Sequence, residues 1–239
     1  MSIILHKFGT AWGLSDPSPF CVKLESFLRI NDIDHKIGDL DMRAALERSP
    51  KKKLPFVTLE NGKDMGDSTL IINFLSKEKN IDMDAALSDE QRAISHAYRR
   101  MLDEGTYFAG LYSRWVDDAG WAVIKPTFFK PVPALLRNFI SEKVRKDIAK
   151  SAYKQGTGRH AKDEVYATAA RDLDALSALL GDKDWYFGTD KPTLLDVWAH
   201  AFVIENIIPP IETDLKKIAL ERENICNHAK RFQEMVYGK

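Results

Sequence analysis

The chain has 239 residues, of which 44% are hydrophobic and 29% are charged, a composition typical of a globular protein with a buried core. Its 35 basic and 35 acidic residues cancel, so the net charge gives no reason to expect a nucleic-acid or membrane-surface partner. Two cysteines exclude a disulfide scaffold, and because we find neither a signal peptide nor an apolar run of the roughly 20 residues that span a bilayer, we expect a cytoplasmic protein.

Strand and helix patterns alternate in the first third of the chain. In chain order we predict a buried strand over residues 3–8, a helix over 19–31, a strand over 33–37 and a short helix over 42–48. The first helix places apolar residues at helical spacing, at Phe20, Leu24, Phe27 and Leu28. Ser18 stands at its N-cap position and Pro19 at its first helical position, and each residue type favours that place.

A hairpin followed by a helix start is the most informative pattern of the chain. Pro55 suits the beginning of a strand because it cannot donate to a sheet ladder, and Asn61-Gly62 between apolar runs predicts a hairpin turn. Asp67 and Ser68 then open an amphipathic helix that we extend to Lys79. The free N–H groups of a helix start favour a carboxylate, so this arrangement predicts a cradle for a small anionic ligand.

The remaining chain shows helical patterns and no convincing strand. We predict helices over 89–116, 134–153 and 162–180, an apolar helix from Thr193 to Ile208, and two short C-terminal helices. Residues 119–133 contain three prolines and many aromatic side chains and are predicted to be irregular. Thr193 with Asp196 three residues later is a variant of the capping box, so Asp196 is expected to be structural.

These features together resemble the glutathione transferase superfamily. The resemblance implies an α/β plus all-α fold, with an N-terminal thioredoxin-like βαβαββα domain over 1–80, a linker over 81–88 and an all-helical domain over 89–239. The segments 17–25, 156–160, 172–177 and 186–192 are similar to the failed-axon-connections and metaxin branch of that superfamily. Some members of this branch are thought to act as binding or import components, and the superfamily as a whole implies a homodimer.

The resemblance also implies a glutathione site in the first domain. Pro55 matches the cis-proline of the family, which turns the Leu54 backbone toward the cysteinyl unit of glutathione. Ser68 and its N–H match the group that holds the γ-glutamyl carboxylate, and Asp67 matches the partner of the ammonium group. Lys53, or Lys51, is the candidate for the glycyl carboxylate, with a solvated lysine loop as the alternative.

Activation of the glutathione thiol needs a donor at the start of the first helix. Ser18 stands there, in register with the first position of the Cys-x-x-Cys site of thioredoxin-like folds. The alternative role of Ser18 is a plain N-cap, and Ser15, Trp12 and Thr10 in the same loop are alternative activators or pocket-wall residues. Cys21 is either a small buried hydrophobe or a reactive thiol.

An apolar electrophile needs a pocket wall beside the thiol. The candidate wall residues are Trp12, Tyr107, Tyr112, Trp115 and Arg159. Aromatic residues at helical spacing are more often part of a core, and that alternative stays open. No residue cluster has metal-ligand spacing, so no metal is expected. The resemblance implies glutathione as the co-substrate.

Three functions are therefore compared. The first is conjugation of glutathione to a small apolar electrophile. The second is a non-catalytic adapter of the same shape that binds a protein or peptide. The third is a glutathione-dependent thiol oxidoreductase or lyase, which requires an accessible Cys21.

Overall fold

The computed structural model describes residues 2–238. Its sheet contains the strands Ile3–His6 (β1), His35–Ile37 (β2), Phe56–Thr58 (β3) and Asp64–Gly66 (β4). The strand order is β2-β1-β3-β4, with β1 and β2 parallel and the other two pairs antiparallel. The accompanying helices are Pro19–Ile30 (α1), Met42–Arg48 (α2) and Ser68–Glu78 (α3). This is the thioredoxin-like arrangement that the sequence predicted.

Helices build the rest of the described chain. They are Asp89–Met101 (α4), Tyr107–Leu111 (α5), Asp118–Phe128 (α6), Ala134–Gln155 (α7), Lys162–Leu180 (α8), Leu194–Ile207 (α9), Asp214–Leu220 (α10) and Glu223–Tyr237 (α11). Short 3₁₀ turns lie at Thr157–Arg159 and Tyr186–Gly188. Among residues 2–238, no helix has both the length and the apolar character needed to cross a bilayer.

The predicted long helix over 89–116 is present as one rod, but it is not a regular α-helix throughout. The π-helical segments Leu102–Thr106 and Tyr112–Val116 interrupt it, on either side of α5. A π-helical turn holds more residues than an α-helical turn, so each segment shifts the faces of the residues that follow it. Sequence periodicity did not reveal these wider turns.

The prediction of an irregular segment over 119–133 is wrong, because α6 occupies most of it. The Asp117 carboxylate caps this helix by accepting a hydrogen bond from the Ala119 N–H. Trp121 and Ile124, three residues apart, are both buried. Pro126 lies in the last turns of the helix, where it forfeits one backbone hydrogen bond, and the burial of the apolar face outweighs that loss. The prediction of two short C-terminal helices also needs correction, since α11 has 15 residues.

The centre of the helical half is α9, which is buried over nearly its whole length. Asp196 in its first turn is fully buried and accepts four hydrogen bonds. Two come from the N–H and hydroxyl of Thr193, one from the N–H of Tyr186 and one from Nε2 of His228, at 2.7 to 2.9 Å. The capping box is therefore confirmed, and its carboxylate also joins α9 to α11.

A buried ion pair joins the sheet layer to the helical half. The Lys23 ammonium on α1 is fully buried and donates to Asp103 at 2.9 Å and to the Thr69 hydroxyl at 3.2 Å. Trp198 on α9 donates its indole N–H to the same Asp103 carboxylate at 3.1 Å, and Lys23 lies 4.3 Å from the Trp198 ring centroid. Burial lowers the pKa of Lys23, and Asp103 opposes this shift. One charged group thus links α1, α3, the first π-helical segment and α9.

We expect Asp196→Asn to lower the free energy of unfolding by about 2–4 kcal/mol, because an amide N–H₂ would face buried donors that now meet a carboxylate oxygen. Urea unfolding measures this change. Asp190→Asn, an exposed neighbour in the preceding loop, is the matched control and is expected to change stability by less than about 0.5 kcal/mol. Equal effects of the two substitutions would contradict the role of Asp196.

We expect Lys23→Met to destabilise the protein by about 3 kcal/mol, because it leaves the Asp103 carboxylate without its charged partner. Asp103→Leu is expected to cost a similar amount. The free energy of unfolding lost in the double variant should be smaller than the sum of the two single losses by at least about 1 kcal/mol, since each change removes the same interaction. Additive effects in urea unfolding would show that the pair does not act as a unit.

Candidate functional site

Three segments leave the sheet at the same end. His6 on β1 pairs with Phe56 on β3, and Phe56 pairs with Gly66 on β4. His6 and Gly66 are the last residues of their strands, whereas Phe56 is the first of its strand. The loop that leads to α1, the segment before β3 and the start of α3 therefore lie side by side. This register brings together the segments that carry the predicted glutathione residues.

The segment before β3 presents a free stretch of backbone. The Leu54–Pro55 peptide bond is cis, as predicted. The Ser49 hydroxyl donates to the Lys53 carbonyl at 2.6 Å and so fixes the backbone on the other side of Leu54. Within the described residues, Leu54 has no backbone hydrogen bond, and the Lys53 side chain is exposed. Leu54 can therefore pair with an extended ligand, and Lys53 can reach an anion beyond it.

The start of α3 offers donors to a carboxylate. Asp67 adopts a positive φ of 83°, which is rare for a residue with a side chain and is often found at binding sites. Its Oδ1 accepts hydrogen bonds from the N–H groups of Thr69 and Leu70, both at 3.0 Å, and this leaves Oδ2 for another partner. The hydroxyl and N–H of Ser68, a buried residue, form no hydrogen bond among the described residues. These groups lie where the helix dipole favours a negative charge.

The start of α1 offers a hydroxyl. Ser18 is at the N-cap position, but its side chain makes no capping hydrogen bond. Its backbone N–H donates instead to Oδ1 of Asp16 at 2.9 Å, and its carbonyl accepts from the N–H groups of Cys21 and Val22. The hydroxyl is therefore not committed to the helix, so the plain N-cap interpretation of Ser18 does not describe what its side chain does.

The two alternative activators are placed less favourably. The Ser15 hydroxyl donates to the Tyr237 hydroxyl on α11 at 3.4 Å. Cys21 is fully buried, and burial raises the pKa of its thiol well above the usual value. The Asp16 carboxylate raises the pKa of Cys21 further, and the Ser18 hydroxyl only partly opposes these effects. A buried neutral thiol is a poor nucleophile, so the geometry disfavours a redox role for Cys21.

Buried acidic groups hold the loop that carries Ser18. Asp16 is fully buried and accepts hydrogen bonds from the N–H groups of Gly9 and Ser18, and burial raises the pKa of its carboxyl to about 6. Arg114, in the second π-helical segment, donates to the Pro17 carbonyl at 2.6 Å and to the Glu205 carboxylate at 2.6 Å. Burial raises the pKa of Glu205 to about 7, and Arg114 opposes this shift.

Sequence reasoning missed Asp16, Arg114 and Glu205. Glu205 is a carboxylate near the end of the most apolar predicted helix, and a charge in such a run must be buried with a partner. That signal could have identified Glu205 but not its partner, because Arg114 lies 91 residues away in sequence.

The five predicted wall residues do not all have the same neighbours. Trp12, in the loop before α1, packs edge-on against Phe128, with 5.4 Å between the ring centroids. Tyr107 packs against Phe20 of α1, with 4.7 Å between the ring centroids. These two residues therefore lie near the loop and the start of α1. The other three have different nearest partners: Tyr112 lies against Tyr166, Trp115 lies against Trp121 in the cluster that Trp12 also contacts, and Arg159 lies over Tyr153. Among the described residues, no group of three or more His, Cys, Asp or Glu side chains could hold a metal ion.

Comparisons with known proteins agree with this geometry. Residues 19–120 match the glutathione S-transferase N-terminal domain, and residues 169–232 match the glutathione S-transferase C-terminal domain. The isoprene-epoxide–glutathione S-transferase of Rhodococcus sp. (strain AD45) is 31% identical over 81% of this chain and 82% of its own length. A glutathione S-transferase structure from Methylobacterium radiotolerans, in complex with glutathione sulfonate, has a TM-score of 0.60 and 16% identity, and it covers 98% of this chain and 91% of that one.

A second group of relatives corrects one prediction. Failed axon connections of Drosophila melanogaster is 30% identical over 98% of this chain, and human Metaxin-2 is 26% identical over 76% of it. The chain spans 58% of the first protein and 68% of the second. These matches contradict the prediction of a purely cytoplasmic protein. That prediction rested on the low cysteine content and on the absence of targeting patterns. Neither feature indicates whether a protein attaches to another cellular component.

The two domain matches, the fold and the relatives all agree. The chain belongs to the glutathione S-transferase family, and it resembles the Failed axon connections and metaxin branch of that family.

Proposed function

We propose that this protein is a glutathione transferase that binds glutathione at the common end of β1, β3 and β4, promotes ionisation of the thiol, and transfers the thiolate to a small apolar electrophile. The observation that supports the proposal is the strand register: the loop leading to Ser18, the Leu54 segment and the helix start at Ser68 adjoin the sheet at the same end.

Each part of glutathione has a matching group at this end. The γ-glutamyl carboxylate accepts from the N–H and hydroxyl of Ser68, and the γ-glutamyl ammonium donates to the free Oδ2 of Asp67. The cysteinyl unit pairs with the Leu54 backbone in the manner of an added strand. The glycyl carboxylate lies toward the exposed Lys53. A solved relative from Methylobacillus flagellatus is described with glutathione bound, which supports the choice of ligand.

The Ser18 hydroxyl is the group that we assign to the thiol. A free thiol has a pKa near 8.5, and lowering it by about two units requires about 2.7 kcal/mol of stabilisation of the thiolate. A hydroxyl that donates to a charged acceptor supplies about 1.5–3 kcal/mol, and the start of α1 adds about 0.3–1 kcal/mol. These two contributions together are large enough to account for the shift.

The reaction that follows is a nucleophilic substitution or ring opening at carbon. The thiolate electron pair forms the carbon–sulfur bond, and the bond to the leaving oxygen or halide breaks. In an epoxide, the oxygen keeps that electron pair and takes up a proton from water. The relative from Rhodococcus carries an isoprene epoxide in its name, which makes small epoxides suitable first substrates.

The electrophile is expected to bind between the loop before α1 and the middle of the long helical rod. Trp12 and Tyr107 are the two predicted wall residues that lie on this side. The Arg114 guanidinium lies 5.8 Å from the Trp12 ring centroid, and its hydrogen bond to the Pro17 carbonyl holds the loop in place. An aromatic wall favours apolar electrophiles over charged ones.

Glutathione affinity is predicted to depend on Ser68. We expect Ser68→Ala to raise the Kd for glutathione at least about tenfold, because a hydrogen bond to a charged carboxylate is lost. Isothermal titration calorimetry measures the change. Ser76→Ala, near the other end of α3, is the matched control and should bind as the wild type does. If Asp67→Ala/Ser68→Ala binds glutathione normally, the site assignment is wrong.

The pKa of the bound thiol is predicted to depend on Ser18. In the wild-type complex we expect the pKa of bound glutathione to lie about two units below its free value, and we expect Ser18→Ala to raise it by at least about one unit. Thiolate absorbance during a pH titration gives both values. Ser15→Ala is the control, because the Ser15 hydroxyl already faces Tyr237.

Each other outcome of this titration has a defined meaning. A pKa shift lost in Ser15→Ala but kept in Ser18→Ala would make Ser15 the activator. Tight binding with no pKa shift in the wild type would rule out thiol activation and would favour the adapter function.

A further inference from the structure

Helix α7 lies between the two segments that match the family domains. The two family-domain matches end at residue 120 and resume at residue 169, so α7 lies wholly between them. It is the longest helix of the described chain, with 22 residues. Neither the fold of the sheet layer nor the proposed glutathione site accounts for this helix.

One face of α7 is fixed against the protein. Arg145 donates to the carbonyl groups of Trp115 and Val116 at 2.9 and 2.8 Å, and Ser141 and Ala152 are fully buried. Ile140 and Val144 pack against the cluster around Trp121. The opposite face must therefore point to solvent.

The solvent face begins with three exposed apolar side chains. Leu135 is 96% exposed, Leu136 is 52% exposed and Phe139 is 72% exposed. They follow one another within the first two turns of the helix, so they form one continuous projecting patch. A contiguous apolar patch on a protein surface usually marks a binding surface.

The same face continues with lysines. Lys143, Lys146, Lys150 and Lys154 follow Phe139 at steps of three or four residues, the spacing of one helix face, and all are exposed. None of them forms an ion pair with another residue among 2–238. Residues 130–159 contain eight Lys or Arg and two Asp or Glu, a net charge of +6 in a chain whose total is zero. Tyr153 lies at the far end of this row.

We propose that this α7 face docks on an anionic phospholipid membrane, with the lysine row along the head groups and Leu135, Leu136 and Phe139 inserted between them. A row of lysines on a helix is attracted to anionic lipid head groups, and the three apolar side chains at one end of the row can insert beside them. The lysine row attracts an anionic surface, and Tyr153 suits the boundary between head groups and chains. The expectation of no membrane-surface partner rested on the total charge, which hides this local charge.

A lipid surface fits better than an acidic protein. Lysine is depleted at protein–protein interfaces, where tyrosine, tryptophan and arginine are enriched. The three apolar side chains project from a convex helix instead of lining a groove, and projection suits insertion into a layer of lipid chains. The proposal does not depend on glutathione binding, since no residue of the α7 face belongs to that site.

Vesicle co-sedimentation tests the proposal with the full chain. We expect the wild type to pellet with vesicles of two parts phosphatidylcholine to one part phosphatidylserine, to remain in solution with phosphatidylcholine alone, and to dissociate as salt rises. Two triple variants should each lower binding to the anionic vesicles at least about tenfold: Lys143→Glu/Lys146→Glu/Lys150→Glu and Leu135→Ser/Leu136→Ser/Phe139→Ser.

The matched control is Lys36→Glu/Lys63→Glu/Lys77→Glu, which makes the same change in total charge at three exposed lysines outside α7. It should keep binding within about twofold, and circular dichroism should show that all variants keep the helical content of the wild type. Equal losses in the control and in the α7 lysine variant would overturn the proposal, as would absence of wild-type binding to the anionic vesicles. The triple serine variant could instead keep its vesicle binding and lose self-association in sedimentation velocity. That result would make this face a contact between two copies of the chain and would also overturn the proposal.

Discussion

The buried Lys23–Asp103 pair is the interaction on which the two halves of this protein depend. A charge at the centre of a fold is costly unless its partners are present in the right geometry. Here the partners come from α3, from a π-helical turn and from α9, so the ammonium is satisfied only when the sheet layer and the helical half are docked. Thr69 is the neighbour of Ser68, and Lys23 is two residues from Cys21 on the first turns of α1. The same pair therefore sets the relative position of the two helix starts that we assign to the ligand.

A second set of buried charges fixes the loop between β1 and α1. Asp16 gathers two N–H groups of the loop, and Arg114 together with Glu205 ties the Pro17 carbonyl to the helical half. Burial raises the pKa of the Asp16 and Glu205 carboxyl groups because it disfavours their charge, and each group stays in place because it has a hydrogen-bonding partner. The result is a loop whose Ser18 hydroxyl is held in position and is not used for capping. Pre-positioning of this kind is what stabilisation of a thiolate requires.

The parts of the structure that the sequence predicted well are those with local signals. Pro55, the Asn61-Gly62 turn and the Asp67-Ser68 helix start are each encoded within a few residues, and the hairpin and α3 follow from them. Lys23 was missed because a lysine on an amphipathic helix is normally assigned to the solvent face. Tyr112 and Trp115 lie in the second π-helical segment, beyond Tyr107, and its wider turn gives their side chains different neighbours from those that the regular helical spacing implied. Local propensity likewise assigned Pro126 to a loop, whereas tertiary burial of Trp121 and Ile124 kept that residue in a helix.

The central claim is that one end of a four-stranded sheet holds glutathione with its sulfur at Ser18. A crystal structure of the protein with glutathione tests this most directly. The account predicts the sulfur at hydrogen-bond distance from the Ser18 hydroxyl, and the γ-glutamyl carboxylate on the N–H and hydroxyl of Ser68. A glutathione sulfur directed at Ser15 or at Cys21, or glutathione bound away from the ends of β1, β3 and β4, would contradict it.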